Sequence, residues 1–157
     1  MFGQIHILLI QKSLDSESHT VNLLGPPVDG SAVIVVEDMK YLARGGRISP
    51  AKAKIGNLMN IKPVLTVQSD GTLGVGSKQN GLKKAYNYIV EEFKNKYKQI
   101  DGAAVTIVDA DNSAAADDIE KRLLEIAPDA KIWRQPIGPV IGVHAGPGTI
   151  GIIFTTK

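Results

Sequence analysis

The chain has 157 residues, 43% of them hydrophobic, which is enough to bury one continuous core and argues for a single domain. Lysine and arginine total 18 against 16 acidic residues, so a net charge of +2 supplies no global field for nonspecific binding to nucleic acid, and an aromatic share of 5% is too small for base-stacking platforms. Without cysteine there are no disulfides, thiol nucleophiles or cysteine-ligated zinc, in keeping with a reducing compartment.

The first apolar run, Gln4 to Ile10, is too short to span a bilayer and has no basic segment before it, so the expectation is a cytoplasmic protein with no membrane span. The run reads as a strand. The polar stretch that follows, broken by Pro26, Pro27 and Gly30, reads as a loop, which makes residues 1–30 an opening section of unclear origin ahead of a domain at 31–157. From Ala32, the β-branched AVIVVE is a strand. Asp38 is placed to cap a short helix, MKYLAR, that the Gly45-Gly46 pair ends. Ser49-Pro50 starts the next helix, expected to run to about Asn60 with Ala51, Ile55, Leu58 and Met59 facing inward and Lys52 and Lys54 facing water.

IKPVLTV (61–67) is a strand whose Pro63 argues for an edge or a strand beginning, and Ser69-Asp70-Gly71 is a tight turn. The glycine-rich GTLGVGSKQNG reads as strand and turn, since it lacks the GKS or GKT signature of a phosphate-binding loop. A long amphipathic helix follows, with Leu82, Ala85, Tyr86, Ile89, Phe93 and Tyr97 on one face. AAVTIVD (103–109) is an aliphatic strand, and Asn112 or Ser113 caps a helix that Pro128 stops. Strands are expected at Lys131–Gln135, Val140–His144 and Thr149–Thr155, the last two forming an antiparallel hairpin. The fold class expected is therefore α/β (α+β), a mixed sheet flanked by helices with an antiparallel C-terminal hairpin.

Chemistry concentrates in two places. Between Met39 and Ser69 lie Lys40, Arg44, Arg47, Lys52, Lys54 and Lys62 and no acidic residue. Arginines beside a Gly-Gly turn let the backbone approach an anion while the guanidinium supplies planar donors, so Arg44, Arg47 and Gly46 are candidate ligands for a carboxylate or phosphate. The lysines read as a solvated surface. The second place is GPVIGVHAGPG, where His144 stands at an expected strand end before a glycine-rich turn that includes Gly146. A lone histidine is more often structural, and turn glycines beside arginines are common in plain corners. Asp109 and Asp111 stand where magnesium ligands can occur, but helix capping explains them more simply, and neither metal nor cofactor is expected.

In order and spacing, the blocks YLARGGRIS, AKAKIGNLMNIKPVL, DGTLGVGSKQNGLKKA and GPVIGVHAGPGTIGIIF resemble the C-terminal half of DegV proteins, from about Ala32 to the end of the chain. The resemblance implies a non-catalytic carrier, one domain of a two-domain protein that holds a long-chain fatty acid between its domains and presents the carboxylate to a fatty acid kinase. It implies that Ser and Thr of the N-terminal domain grip the carboxylate, with His144 near the head group and Arg44 and Arg47 close to the domain junction. At Asn80 this chain departs from the pattern, since members often carry there an arginine implicated in engaging the kinase. IGNLMNI and PVIGV would line the acyl tunnel. Without a partner domain the chain is expected to expose an apolar surface through which it self-associates or docks. Two rival readings remain beside this one: a structural or partner-docking domain with no ligand of its own, and a phosphate-ester-binding or enzymatic domain using Arg47, His144 and the glycine-rich turns.

Overall fold

A computed structural model describes residues 30–67, 73–97 and 104–155. The strand expected at Gln4–Ile10 and the turn expected at Ser69–Gly71 lie outside the described residues. In chain order the elements are β1 (Gly30–Val35), α1 (Met39–Arg44), α2 (Pro50–Leu58), β2 (Ile61–Val67), β3 (Leu73–Asn80), α3 (Leu82–Lys96), β4 (Ala104–Asp109), α4 (Ser113–Ile126), β5 (Lys131–Pro136), α5 (Pro139–Ala145) and β6 (Ile150–Thr155).

The six strands form one mixed sheet in the order β3-β2-β1-β6-β4-β5, in which only β4 and β5 are parallel. The β4–α4–β5 unit needs its helix as a crossover, whereas β2 and β3 are joined by a short connection. Alternation along each strand divides the sheet residues between two faces. On one face Val33, Val35, Val64, Val105, Ile107, Ile150, Ile152 and Phe154 pack against Ala85, Ile89 and Phe93 of α3 and Ala116, Ile119 and Leu123 of α4. On the other, a smaller cluster of Val36, Leu42 and Ala145 joins β1 to α1 and α5, with Ile48 and Leu65 packed against it. Ala32, Val108 and Ile153, half-buried, belong to this second face.

Most expected elements appear where the periodicity places them, and three expectations are corrected. Residues 140–144 are not a strand and there is no C-terminal hairpin: Pro139 occupies the first turn of α5, whose Gly142 and Gly146 amides donate to the carbonyls of Gly138 and Gly142. The β-branched run Val140-Ile141-Gly142-Val143 mimics a strand, but β6 is already bonded to β1 on one edge and β4 on the other, leaving no free ladder.

The stripe on α2 is also reversed. Ile55, Leu58 and Met59 are 58%, 86% and 58% exposed, while the buried positions are Ala53 and Gly56. Gly56 explains the choice, because a Cβ there would overlap the Met39 sulfur of α1; close approach of the two helices needs the small residues inside.

Finally, β2 is an interior strand, which overturns the expected edge and leaves the other position expected for Pro63, near a strand beginning. Pro63 is accommodated because it lies one residue outside the β1–β2 register, which begins at Val35 opposite Val64, while its carbonyl accepts the Val36 amide at 3.2 Å.

Candidate functional site

The candidate residues belong to two short helices whose C-terminal turns meet. The first turn pair closes α1. Arg47 N–H donates to Leu42 O at 2.8 Å and Gly46 N–H to Ala43 O at 3.0 Å, the paired bonds of a Schellman cap. That cap needs a left-handed residue, and Gly46 supplies it at φ +73. The Arg47 guanidinium folds back on the same turn, its Nη1 donating to Gly45 O at 2.5 Å, so part of its donor set is already used. Arg44 is exposed, with Cζ 5.7 Å from the centroid of the Tyr41 ring.

The second turn closes α5. Gly146 caps it at φ +80, and the Thr149 hydroxyl donates to Ala145 O at 3.0 Å. His144 stands in the last turn of α5. Its ring rests directly on Gly45: a Cβ at position 45 would overlap Nδ1. Nδ1 is buried without a hydrogen-bond partner, leaving Nε2 as the nitrogen available to a ligand. The structure thus brings His144 against the Gly-Gly turn between Arg44 and Arg47. Gly146 lies under the Tyr41 ring, and Gly46 has open space where a side chain would be.

Sequence reasoning missed Tyr41 and Asn57, the second of which joins the expected Asp38 cap. Tyr41 bridges the turns, and i,i+3 spacing to Arg44 was the available signal. Asp38 and Asn57 fix the entry of α1. Asp38 Oδ1 accepts the Lys40 amide at 2.9 Å and the Asn57 side-chain amide at 2.7 Å, while Asn57 Oδ1 accepts the Met39 amide at 3.1 Å. Burial pulls the Asp38 carboxyl upward, but the Lys40 and Asn57 hydrogen bonds and the Lys40 charge outweigh it and hold the group below its usual range. A carboxylate depressed on folding contributes stability above its unfolded value, near ~3.9, and loses it as pH falls through the folded value. Asp38→Ala should therefore cost about 1 kcal/mol near neutrality and less in acid. Urea midpoints at pH 7 and pH 3 check this; an equal loss at both would assign the cost to packing instead of the charged cap.

The DAD turn has the bland role. Asp109 Oδ2 accepts the Asn112 amide at 3.0 Å, and Asn112 in turn donates to Tyr86 Oη at 3.2 Å and Gly148 O at 2.7 Å. These bonds tie the α4 start to the loop before β6. Among the described residues no group of three histidine or carboxylate side chains converges on a cation position, and no helix is long and apolar enough to cross a membrane.

On the side of the sheet away from α3 and α4, large apolar side chains point outward on either side of α1. To the residues of α2 are added Val140 and Val143 of α5, 79% and 64% exposed, and Ile141. Both helices pack on α1. Charge and apolar surface are thus presented by the same three helices.

The family model described as uncharacterised proteins of the DegV family matches residues 29–157. This chain belongs to the DegV family. A DegV domain-containing protein of Caldanaerobacter subterraneus subsp. tengcongensis is 34% identical over 125 residues, which cover 80% of this chain and 44% of that one. Two solved DegV structures superpose with TM-scores of 0.66. One is a fatty acid binding protein from Streptococcus agalactiae, 29% identical, covering 82% of this chain and 45% of its own; the other is a lipid binding protein from Thermotoga maritima, 30% identical with the same coverage. The present DegV chain spans a little under half the length of these relatives.

Proposed function

We propose that this chain is the lipid-binding part of a non-catalytic, cytoplasmic fatty-acid carrier. The observation that carries the reading is the His144 ring seated on Gly45, beside Arg44 and Arg47 and between two helices with outward apolar residues. A fatty acid asks for that combination, an anionic head beside a greasy wall. In this reading His144 Nε2 donates to the carboxylate, Arg44 supplies most of the positive potential, and Arg47 a smaller share because one of its donors is engaged. Gly46 keeps the backbone clear of side chains where the head group approaches, whereas Gly146 is covered by the Tyr41 ring and acts through that contact. Ile55, Leu58, Met59, Val140 and Val143 meet the acyl chain or the surface that encloses it. The fatty-acid and lipid binding of the two solved relatives supports the assignment.

The partner implied is a fatty acid kinase to which the carboxylate is presented, with Asn80 in place of a basic residue on β3. A second reading, a docking domain without its own ligand, draws on the same outward apolar residues of α2 and α5. Native mass spectrometry of the full chain purified from bacteria separates the two. The carrier reading expects a mass step matching one long-chain fatty acid, reduced in His144→Ala; apo protein that self-associates and takes up no added fatty acid would favour the docking reading.

A further inference from the structure

We propose that Tyr41 is the positioning residue of the head-group site, setting the Arg44 guanidinium and the His144 imidazole at a spacing that fits one carboxylate; this deepens, and rests on, the fatty-acid reading above.

Two ring-on-glycine contacts cross between the helices. The Tyr41 ring of α1 lies on Gly146, the cap of α5, where any Cβ would overlap Cδ2 and Cγ of the ring. The His144 ring of α5 lies on Gly45, the cap of α1. Each helix thus sets its aromatic ring on the terminal glycine of the other. Among the described residues no hydrogen bond joins α1 to α5, so the spacing between the turns is left to these contacts and to the small Leu42–Ala145 cluster. Such contacts hold only while both rings and both glycines are present.

Tyr41 also bears on the charge directly. Lys40 Nζ and Arg44 Cζ stand 5.0 Å and 5.7 Å from its ring centroid, within reach of the ring quadrupole. Lys40 is additionally paired with Asp38 at 2.5 Å. Arg44 makes no hydrogen bond or ion pair among the described residues, so the aromatic face is the contact that localises its guanidinium. The ring face makes these contacts and the hydroxyl takes no part in them, so phenylalanine should serve as well as tyrosine.

The test uses the full chain and two probes of equal length, palmitate and hexadecanol, in wild type, Tyr41→Phe and Tyr41→Leu. Only the carboxylate senses Arg44 and His144, whereas both probes sense the apolar wall. Tyr41→Phe should keep the palmitate affinity within about twofold, and Tyr41→Leu should weaken palmitate about tenfold while leaving hexadecanol unchanged. Equal losses for acid and alcohol would mark Tyr41 as packing alone, and no loss for either would leave it without a role; each overturns the proposal. Tyr41→Met, which keeps apolar volume, carries the same expectation and replaces a Tyr41→Leu protein that does not fold. Wild-type protein that takes up neither probe sinks the fatty-acid reading and this inference with it, whereas an acid-selective wild type whose selectivity survives Tyr41→Leu sinks only the role of Tyr41.

Discussion

Replacing Phe93 with alanine should destabilise the domain by about 3–5 kcal/mol, the largest single loss expected in this protein. Phe93 is fully buried where the C-terminal part of α3 packs on the sheet. Its ring stacks on Tyr97 with centroids 4.4 Å apart and meets the Phe154 ring edge-on at 5.3 Å. Removing it deletes both aromatic contacts and leaves a void against β6. That strand is bonded on both edges and cannot slide inward to fill the space. Against a total stability of about 5–15 kcal/mol for a domain of this kind, the loss is a large fraction. The urea midpoint should fall with the slope unchanged. Because α3 lies on the opposite side of the sheet from α1 and α5, the fraction that remains folded should keep its fatty-acid uptake. A loss under about 1 kcal/mol would show that these three rings are not packed together in solution.

The second large effect isolates one contact. Gly45 has φ −78, which alanine adopts freely, so Gly45→Ala carries no backbone strain and tests only the space occupied by His144. The added methyl must displace the imidazole, at a cost of about 1–3 kcal/mol. His144→Ala alone should cost little stability, since the buried Nδ1 has no partner to lose. In the double variant the obstruction is gone, so the penalty of Gly45→Ala should largely vanish and the two changes should be strongly non-additive. Ligand uptake should behave differently. Each single variant and the double variant should lose about tenfold or more in fatty-acid affinity, because none presents Nε2 to the carboxylate. Additive stabilities would place the imidazole away from Gly45 and remove the convergence of the two turns.

The site was legible as separate halves. Arg44, Gly46 and Arg47 stood out through a charge-asymmetric segment around a glycine pair, and His144 and Gly146 through a glycine-rich turn. That the halves touch could not be read, since residues 45 and 144 are 99 positions apart and meet only because α1 and α5 both pack beside the end of β1. The capping roles were legible because they are local: Asp38 and Ser49 each bond an amide within three residues. Tyr41 stayed hidden because its packing on Gly146, the cap of a helix distant in sequence, is a tertiary contact that no local pattern shows.

By itself the sequence determined the elements whose pattern is long or strongly aliphatic, namely β1, β4 and β6 and the amphipathic α3 and α4, together with membership of the DegV family. Only the tertiary structure decided that residues 139–145 form a helix and that the apolar side of α2 turns outward. Both decisions are contests between neighbours. Occupied edges on β6 deny Val140–His144 a strand partner, and Gly56 lets α1 approach α2 more closely than Ile55 or Leu58 would. Such outcomes depend on which surfaces are already taken, which a local periodicity does not encode.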